Sequence, residues 1–180
     1  MELGMRVGIV GCGRIGRKRA QSLPDTCTPA LFCDIRQEQA RSLALQFHGS
    51  EACSDWREAV RRPDLDIIVV STTHDQLAVV AAEAAASGKH VLVEKPCARR
   101  ASELEPVLQA IAATGVRVRA GFNHRYHRAL QKAREIFETG VLGDLMFIRG
   151  RYGHGGRPGY DQEWRADPEV SGGGEAIDQG

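Results

Sequence analysis

Three closely spaced glycines near the N-terminus could form a turn that binds a pyrophosphate. They lie in the segment Gly11-Cys12-Gly13-Arg14-Ile15-Gly16, which follows an apolar run and precedes a helical pattern. Gly11 permits a tight turn, Gly13 has no side chain to block a pyrophosphate, and Gly16 lets helix and strand pack closely. The segment predicts a nucleotide-binding turn at a helix N-terminus, with Arg14 and Ile15 also beside the cofactor. A tight glycine turn without a nucleotide is the alternative.

An acidic residue follows at the distance that such turns require for ribose recognition. Asp34 lies about 20 residues beyond the glycines, at the end of the second predicted strand. Its carboxylate can accept hydrogen bonds from ribose hydroxyls and would repel a 2′-phosphate. This position favours NAD over NADP, although Arg36 keeps NADP open because an arginine can pair with that phosphate.

A run of small polar residues closes another predicted strand, at residues 66–71. The run is Ser71-Thr72-Thr73-His74. Ligands bind outside the carboxyl ends of parallel strands, so these side chains can approach the cofactor. His74 could line the edge of the cofactor site or be a surface histidine.

Lys95 follows the predicted strand at residues 90–93, at the same edge of the sheet. Oxidation of a secondary alcohol removes a hydride and a proton. A lysine at this edge can hydrogen-bond the reacting oxygen and stabilise its developing negative charge. A surface lysine after a strand is the alternative.

Strand and helix patterns alternate along the first two thirds of the chain. Residues 66–71 are apolar on both faces, which predicts a parallel strand covered by helices. The other predicted strands are residues 5–10, 30–34, 90–93, 116–121 and 145–152, and the predicted helices are residues 14–23, 37–47, 56–61, 76–87, 101–114 and 126–139. This order predicts an α/β fold of the Rossmann type, with a doubly wound parallel sheet.

The alternating pattern weakens near residue 122, where we place a domain boundary. Residues 1–122 would form the NAD(P)-binding Rossmann domain, and residues 123–180 the incomplete start of an α+β substrate domain. The second part includes a loop in which arginines and aromatic residues are mixed, ending at Trp164 and Arg165. Such side chains can stack on a sugar or on a nucleic-acid base, and a solvated loop is the bland alternative.

The composition excludes several other classes of protein. The 180 residues carry 24 Lys+Arg and 23 Asp+Glu, a net charge of +1, which gives no reason to expect nucleic acid or an anionic membrane. The five cysteines show no CxxC spacing, so we expect neither a disulfide framework nor a metal site. No signal-peptide pattern or membrane-spanning run is present in the sequence, and we expect a cytoplasmic protein.

Four ordered motifs together resemble the glucose–fructose oxidoreductase / inositol dehydrogenase / MocA family of NAD(P)-dependent oxidoreductases. They are the glycine turn, Glu94-Lys95-Pro96, Gly121-Phe122-Asn123-His124-Arg125-Tyr126, and the closing Gly172-Gly173-Gly174 with Asp178 and Gly180. The resemblance implies that Lys95 and Asp178 are catalytic and contact the substrate, and that the Lys95–Pro96 bond is cis. It also implies that Glu94 contacts the nicotinamide ribose.

The resemblance further implies roles for residues after the boundary. Asn123 and Arg125 would contact nicotinamide or substrate, and we choose Trp164 and Arg165 as substrate contacts. The substrate would be a sugar, a cyclitol or a nucleotide-linked sugar, and the full-length form would be a homo-oligomer.

One family feature has no counterpart here, because the family's acid/base histidine would lie two residues past Gly180. Family members are roughly twice as long, and we expect this chain to be the nucleotide-binding part of a longer enzyme. The alternatives are a catalytically silent NAD(H)-binding module or inactive fragment and, more remotely, nucleic-acid binding through the arginine-rich loop.

Overall fold

A six-stranded parallel sheet forms the centre of the computed structural model, which describes residues 4–151, 153, 158–173 and 177. The strands are β1 (Met5–Val10), β2 (Cys27–Cys33), β3 (Glu51–Cys53), β4 (Ile67–Val70), β5 (His90–Val93) and β6 (Val118–Ala120). Their order across the sheet is β3-β2-β1-β4-β5-β6. The strand order reverses between β1 and β4, because β2 and β3 are added on one side of β1 and β4, β5 and β6 on the other. Ligands of such sheets bind at the carboxyl ends of the strands at this switch point.

Helices cover both faces of the sheet. They are α1 (Arg14–Gln21), α2 (Gln37–Ala44), α3 (Trp56–Arg61), α4 (His74–Ala86) and α5 (Glu105–Thr114), followed by α6 (Arg128–Glu138) and the short α7 (Pro168–Ser171). This architecture confirms the Rossmann-type doubly wound fold. All five strand pairings are parallel, as the connections through helices require.

The core consists of two apolar layers, one on each face of the sheet. Ile68 and Val70 of β4 pack into the layer that includes α4 and α5, whereas Val69 packs into the layer that includes α2. Successive side chains of a strand point to opposite faces, so only a strand that is apolar throughout can serve both layers. The apolar run of β4 therefore has the double burial that its sequence predicts.

The predicted strand at residues 145–152 is wrong for the residues that the structure describes there. Residues 145–151 have no strand hydrogen-bonding, and Tyr152 lies outside the described residues. A strand needs a neighbour to pair its backbone N–H and C=O groups, and residues 145–151 are not among the strands of the sheet. Leu145, Met146 and Phe147, which lie in this predicted strand, are all exposed.

The amphipathic pattern of residues 126–139 does form a helix, but one that buries none of its side chains. Leu130, Ile136 and Phe137 of α6 are all exposed by more than a third. Within the described ranges, no helix is long and apolar enough to span a membrane.

Candidate active site

The glycine turn joins β1 to α1 and lies against the end of β4. Gly11 has a left-handed backbone (φ +94°), and a Cβ placed there would lie 2.5 Å from the carbonyl oxygen of Ser71. A Cβ on Gly16 would lie 1.9 Å from the carbonyl oxygen of Gly11, whereas one on Gly13 would meet nothing within 4 Å. Gly11 and Gly16 are thus required for packing inside the protein. Gly13 leaves open space in front of the helix N-terminus, where a ligand can approach the backbone.

Asp34 at the end of β2 is fixed directly to this turn. One carboxylate oxygen accepts a 2.8 Å hydrogen bond from the backbone N–H of Cys12, and the other accepts a 2.9 Å bond from the backbone N–H of Arg36. The Asp34 side chain is 10% exposed, whereas that of Arg36 is 70% exposed and lies 4.0 Å from the carboxylate. The carboxylate is therefore oriented by backbone N–H groups, whereas the Arg36 guanidinium is mostly exposed to solvent.

The turn and Asp34 share a cavity of about 770 Å³ at the switch point of the sheet. Eleven of the residues predicted for the site line it: Gly11, Gly13, Arg14, Ile15, Asp34, Arg36, Ser71, Thr72, Thr73, Trp164 and Arg165. The volume lies within the usual range of about 300–1,000 Å³ for ligand sites. An open glycine at a helix N-terminus and a nearby carboxylate, within one cavity, match the pyrophosphate and the ribose of a dinucleotide.

The residues that follow β4 differ in their relation to the cavity. The Ser71 hydroxyl donates a 2.7 Å hydrogen bond to the carbonyl oxygen of Gly11, and Thr72 and Thr73 line the cavity. His74 does not line it, because this residue is 3% exposed and its Nδ1 lies 2.9 Å from the carbonyl oxygen of Ser171. The histidine is therefore neither a surface residue nor part of the cavity lining.

The segment Glu94-Lys95-Pro96 lies at the end of β5, the strand that pairs with β4. The peptide bond between Lys95 and Pro96 is cis, which confirms that prediction. Glu94 is buried and forms an ion pair with Arg19 of α1. Arg19 also donates a 2.8 Å hydrogen bond to the side-chain oxygen of Asn123, so one guanidinium joins the ends of β5 and β6 to α1. None of Glu94, Lys95 and Asn123 is in the lining of the cavity.

Trp164 and Arg165, predicted as substrate contacts, lie in the wall of the same cavity as the glycine turn. The guanidinium carbon of Arg165 is 4.3 Å from the centre of the Trp164 ring, a cation–π contact. Arg125 is exposed, with its guanidinium 5.7 Å from the ring of Phe122. Asp178 lies outside the described residues.

Sequence reasoning missed several residues of the cavity wall. They include Ser54 and Trp56, which follow β3, and Asp75 and Gln76 in the first turn of α4. The three residues of β3 have no β-branched or alternating pattern, so the strand that places Ser54 and Trp56 was not predicted. Arg19 was also missed, because its place in α1 does not indicate that the side chain reaches β5.

The cysteines near the turn are held as thiols. Burial and the charge of Asp34 raise the pKa of Cys12 to about 12. A hydrogen bond to Cys53, together with burial, raises the pKa of Cys33, which also lines the cavity. A nucleophilic cysteine needs a lowered pKa, so neither thiol is suited to covalent chemistry. Within the described residues, no group of three His, Cys, Asp or Glu side chains could hold a metal ion.

Comparison with known proteins identifies two family domains in the chain. Residues 5–122 match a family described as "Oxidoreductase family, NAD-binding Rossmann fold", and residues 130–180 match a "GFO/IDH/MocA C-terminal domain". The expectation of an NAD-binding Rossmann fold is thereby confirmed.

Individual relatives are sugar and cyclitol dehydrogenases. The chain is 29% identical to levoglucosan dehydrogenase of Pseudarthrobacter phenanthrenivorans over 176 residues, which cover 91% of this chain and 43% of the relative. It is 29% identical to myo-inositol 2-dehydrogenase of Thermotoga maritima over 81% of this chain and 44% of the relative. A structure of levoglucosan dehydrogenase in complex with NADH and levoglucosan superimposes with a TM-score of 0.87 at 26% identity, covering 98% of this chain and 51% of that one. The chain thus spans about half the length of the proteins it matches.

Proposed function

The chain belongs to the GFO/IDH/MocA family of oxidoreductases, and from this premise we propose that it binds NAD(H) for the oxidation or reduction of a sugar-like alcohol. The substrate class is a secondary alcohol of a sugar, a cyclitol or a nucleotide-linked sugar. The observation that carries the proposal is the glycine turn bonded to Asp34 within one cavity. The sugar and cyclitol dehydrogenases among the relatives support the choice of substrate class.

The residues of the turn would hold the cofactor. Gly13 and the first backbone N–H groups of α1 would receive the pyrophosphate, since a helix N-terminus favours an anion. Asp34 would accept hydrogen bonds from the adenosine ribose. NAD, when bound, supplies the acceptor or donor of a hydride.

Lys95 and Asp178 would act in the chemical step at the alcohol oxygen. Lys95 follows β5, next to the strand whose end lines the cavity, and its ammonium would hydrogen-bond the alcohol oxygen and stabilise negative charge there. Asp178 would orient an acid/base group, as the family resemblance implies. Arg125 remains a proposed contact with nicotinamide or substrate. Trp164 and Arg165 would close the cofactor cavity and present an aromatic face and a cation to the ligand.

A first experiment tests the cofactor site by calorimetric titration with NADH and NADPH. Asp34→Ala should weaken NADH binding by about tenfold or more, because it removes charged hydrogen-bond acceptors from the ribose. The same change should weaken NADPH binding less, since the carboxylate repels a 2′-phosphate. Asp25→Ala, at an exposed aspartate, is the matched control.

Two results would count against the proposal. One is a wild-type chain that binds neither nucleotide, and the other is an Asp34→Ala variant with unchanged affinity for NADH. A screen of polyols, followed by NADH absorbance, then tests turnover on this chain and on one that continues past Gly180. If the longer chain binds NADH but turns over no polyol, the protein is an NAD(H)-binding module and not a dehydrogenase. The homo-oligomer of a full-length form and the cytoplasmic location of the protein stay predictions.

A further inference from the structure

His74 begins α4 and lies beneath the segment formed by residues 160–173. It is 3% exposed, and its Nδ1 is 2.9 Å from the carbonyl oxygen of Ser171, at the end of α7. A carbonyl oxygen only accepts hydrogen bonds, so Nδ1 must carry the proton and donate it. This bond joins α4 of the Rossmann domain to a segment that matches the C-terminal domain of the family.

The same imidazole contacts a second point of that segment. The rings of His74 and Trp164 meet edge to face, with their centres 4.7 Å apart and their planes at 78°. Trp164 in turn stacks with Arg165, and both side chains line the cavity that contains Gly13. One buried ring therefore lies directly behind the part of the cavity wall that the C-terminal segment provides.

Two further contacts of the segment lie around α7. Arg99 donates a hydrogen bond to the carbonyl oxygen of Glu169, and Gly172 packs so closely on Arg99 that a Cβ would lie 2.6 Å from its side chain. These contacts fix α7 but involve neither Trp164 nor Arg165. The positions of Trp164 and Arg165 at the cavity therefore depend on the contacts of these two side chains themselves, which include the His74 ring.

We infer that His74 is a positioning residue for the cofactor site. Its Nδ1–H holds the carbonyl of Ser171 while its ring edge holds Trp164, and together they keep Trp164 and Arg165 against the dinucleotide cavity. The inference rests on the proposed binding of NAD(H), and it assigns His74 no contact with cofactor or substrate.

The test uses Trp164 as its own reporter. The chain contains two tryptophans, so Trp56→Phe leaves Trp164 as the sole indole. Because Trp56 lines the same cavity, every variant is compared with the Trp56→Phe parent. In this background His74→Phe keeps an aromatic ring but loses the donor, and His74→Asn keeps a donor near Nδ1 but loses the ring. His90→Asn is the matched control, because the Nδ1 of His90 accepts a bond from the backbone N–H of Arg117, in a different part of the sheet.

Both His74 variants should shift the fluorescence of Trp164 to longer wavelength and raise the dissociation constant for NADH. The loss of one buried hydrogen bond or ring contact corresponds to about a five- to tenfold weaker affinity. His90→Asn should change neither quantity. If circular dichroism shows that His74→Phe does not fold, the fluorescence of Trp164 and the NADH affinity are measured on His74→Asn instead. Unchanged Trp164 fluorescence and unchanged affinity in a folded variant would overturn the inference.

A double-mutant cycle separates positioning from general stability. With Trp164→Ala already present, His74→Phe should alter NADH affinity by less than about twofold, because the indole that the His74 ring contacts, and against which Arg165 stacks, is gone. An equal loss of affinity in both backgrounds would also overturn the inference. A parent chain that binds no NADH would instead contradict the proposed function, and the fluorescence of Trp164 would still test His74.

Discussion

Gly13 and Gly16 belong to the same motif but are constrained by different surroundings. Space is open around Gly13, whereas a Cβ on Gly16 would collide with the backbone of the turn. Gly13→Ala should therefore leave the unfolding temperature nearly unchanged and weaken NADH binding by about tenfold or more, since the methyl group enters the pyrophosphate site. Gly150→Ala, also in open space but away from the turn, is the control.

Gly16→Ala should affect folding before it affects binding. Overpacking a closed contact costs about 1–3 kcal/mol, which urea unfolding would detect as a lower midpoint. A Gly16→Ala chain as stable as the wild type would show that the turn can move away from α1. A Gly13→Ala chain with full NADH affinity would show that the pyrophosphate does not approach this backbone.

The residues of the turn were predictable because they lie within one β1–α1–β2 unit, although the contact between Gly11 and Ser71 is not local. Gly11, Gly16 and Asp34 meet through short segments whose spacing follows from one strand, one turn and one helix. Arg19 and His74 depend on contacts with residues far away in the chain, Glu94 and Ser171. A single sequence contains the residue types for these contacts but no signal for the pairing.

At the scale of elements, Arg19 holds α1 to the ends of β5 and β6. Glu94 is buried, so removing the guanidinium leaves a carboxylate without its cation in a dry position. We expect Arg19→Leu to lower the free energy of unfolding by about 2–4 kcal/mol, measured by urea unfolding. Arg17→Leu, in the same helix but exposed, should change it much less.

A second substitution checks the cause of that loss. Adding Glu94→Gln to Arg19→Leu removes the unpaired charge and should restore part of the lost stability. If the double variant is no more stable than Arg19→Leu alone, packing of the arginine chain rather than charge explains the effect.

The elements that prediction missed or placed wrongly lack a local signal of their partners. β3 is three residues long and pairs only with β2, at the edge of the sheet. Residues 145–151 have a strand-like pattern but no strand pairing within the described part of the chain. Pattern alone gives the tendency to form a strand, while the hydrogen bonds come from a neighbour elsewhere.

At the scale of the whole molecule, the two matched domains differ in how much apolar surface they cover. The Rossmann part buries large side chains on both faces of its sheet. The stretch after α6 exposes a run of apolar residues, namely Val141, Leu142, Leu145, Met146, Phe147 and Ile148. A cluster of exposed apolar side chains drives association when no other surface covers it.

The 180-residue chain should therefore self-associate as its concentration rises, which sedimentation velocity can measure. Replacing Phe147 and Ile148 with lysine should shift the equilibrium towards monomer, because a charged side chain resists burial in an apolar contact. Leu45→Lys is the control, since this leucine is 89% exposed but stands apart from the run. A wild-type chain that stays monomeric at every concentration would mean that the apolar run does not drive association. Equal dissociation by Leu45→Lys would place the contact elsewhere, on the Rossmann surface near α2.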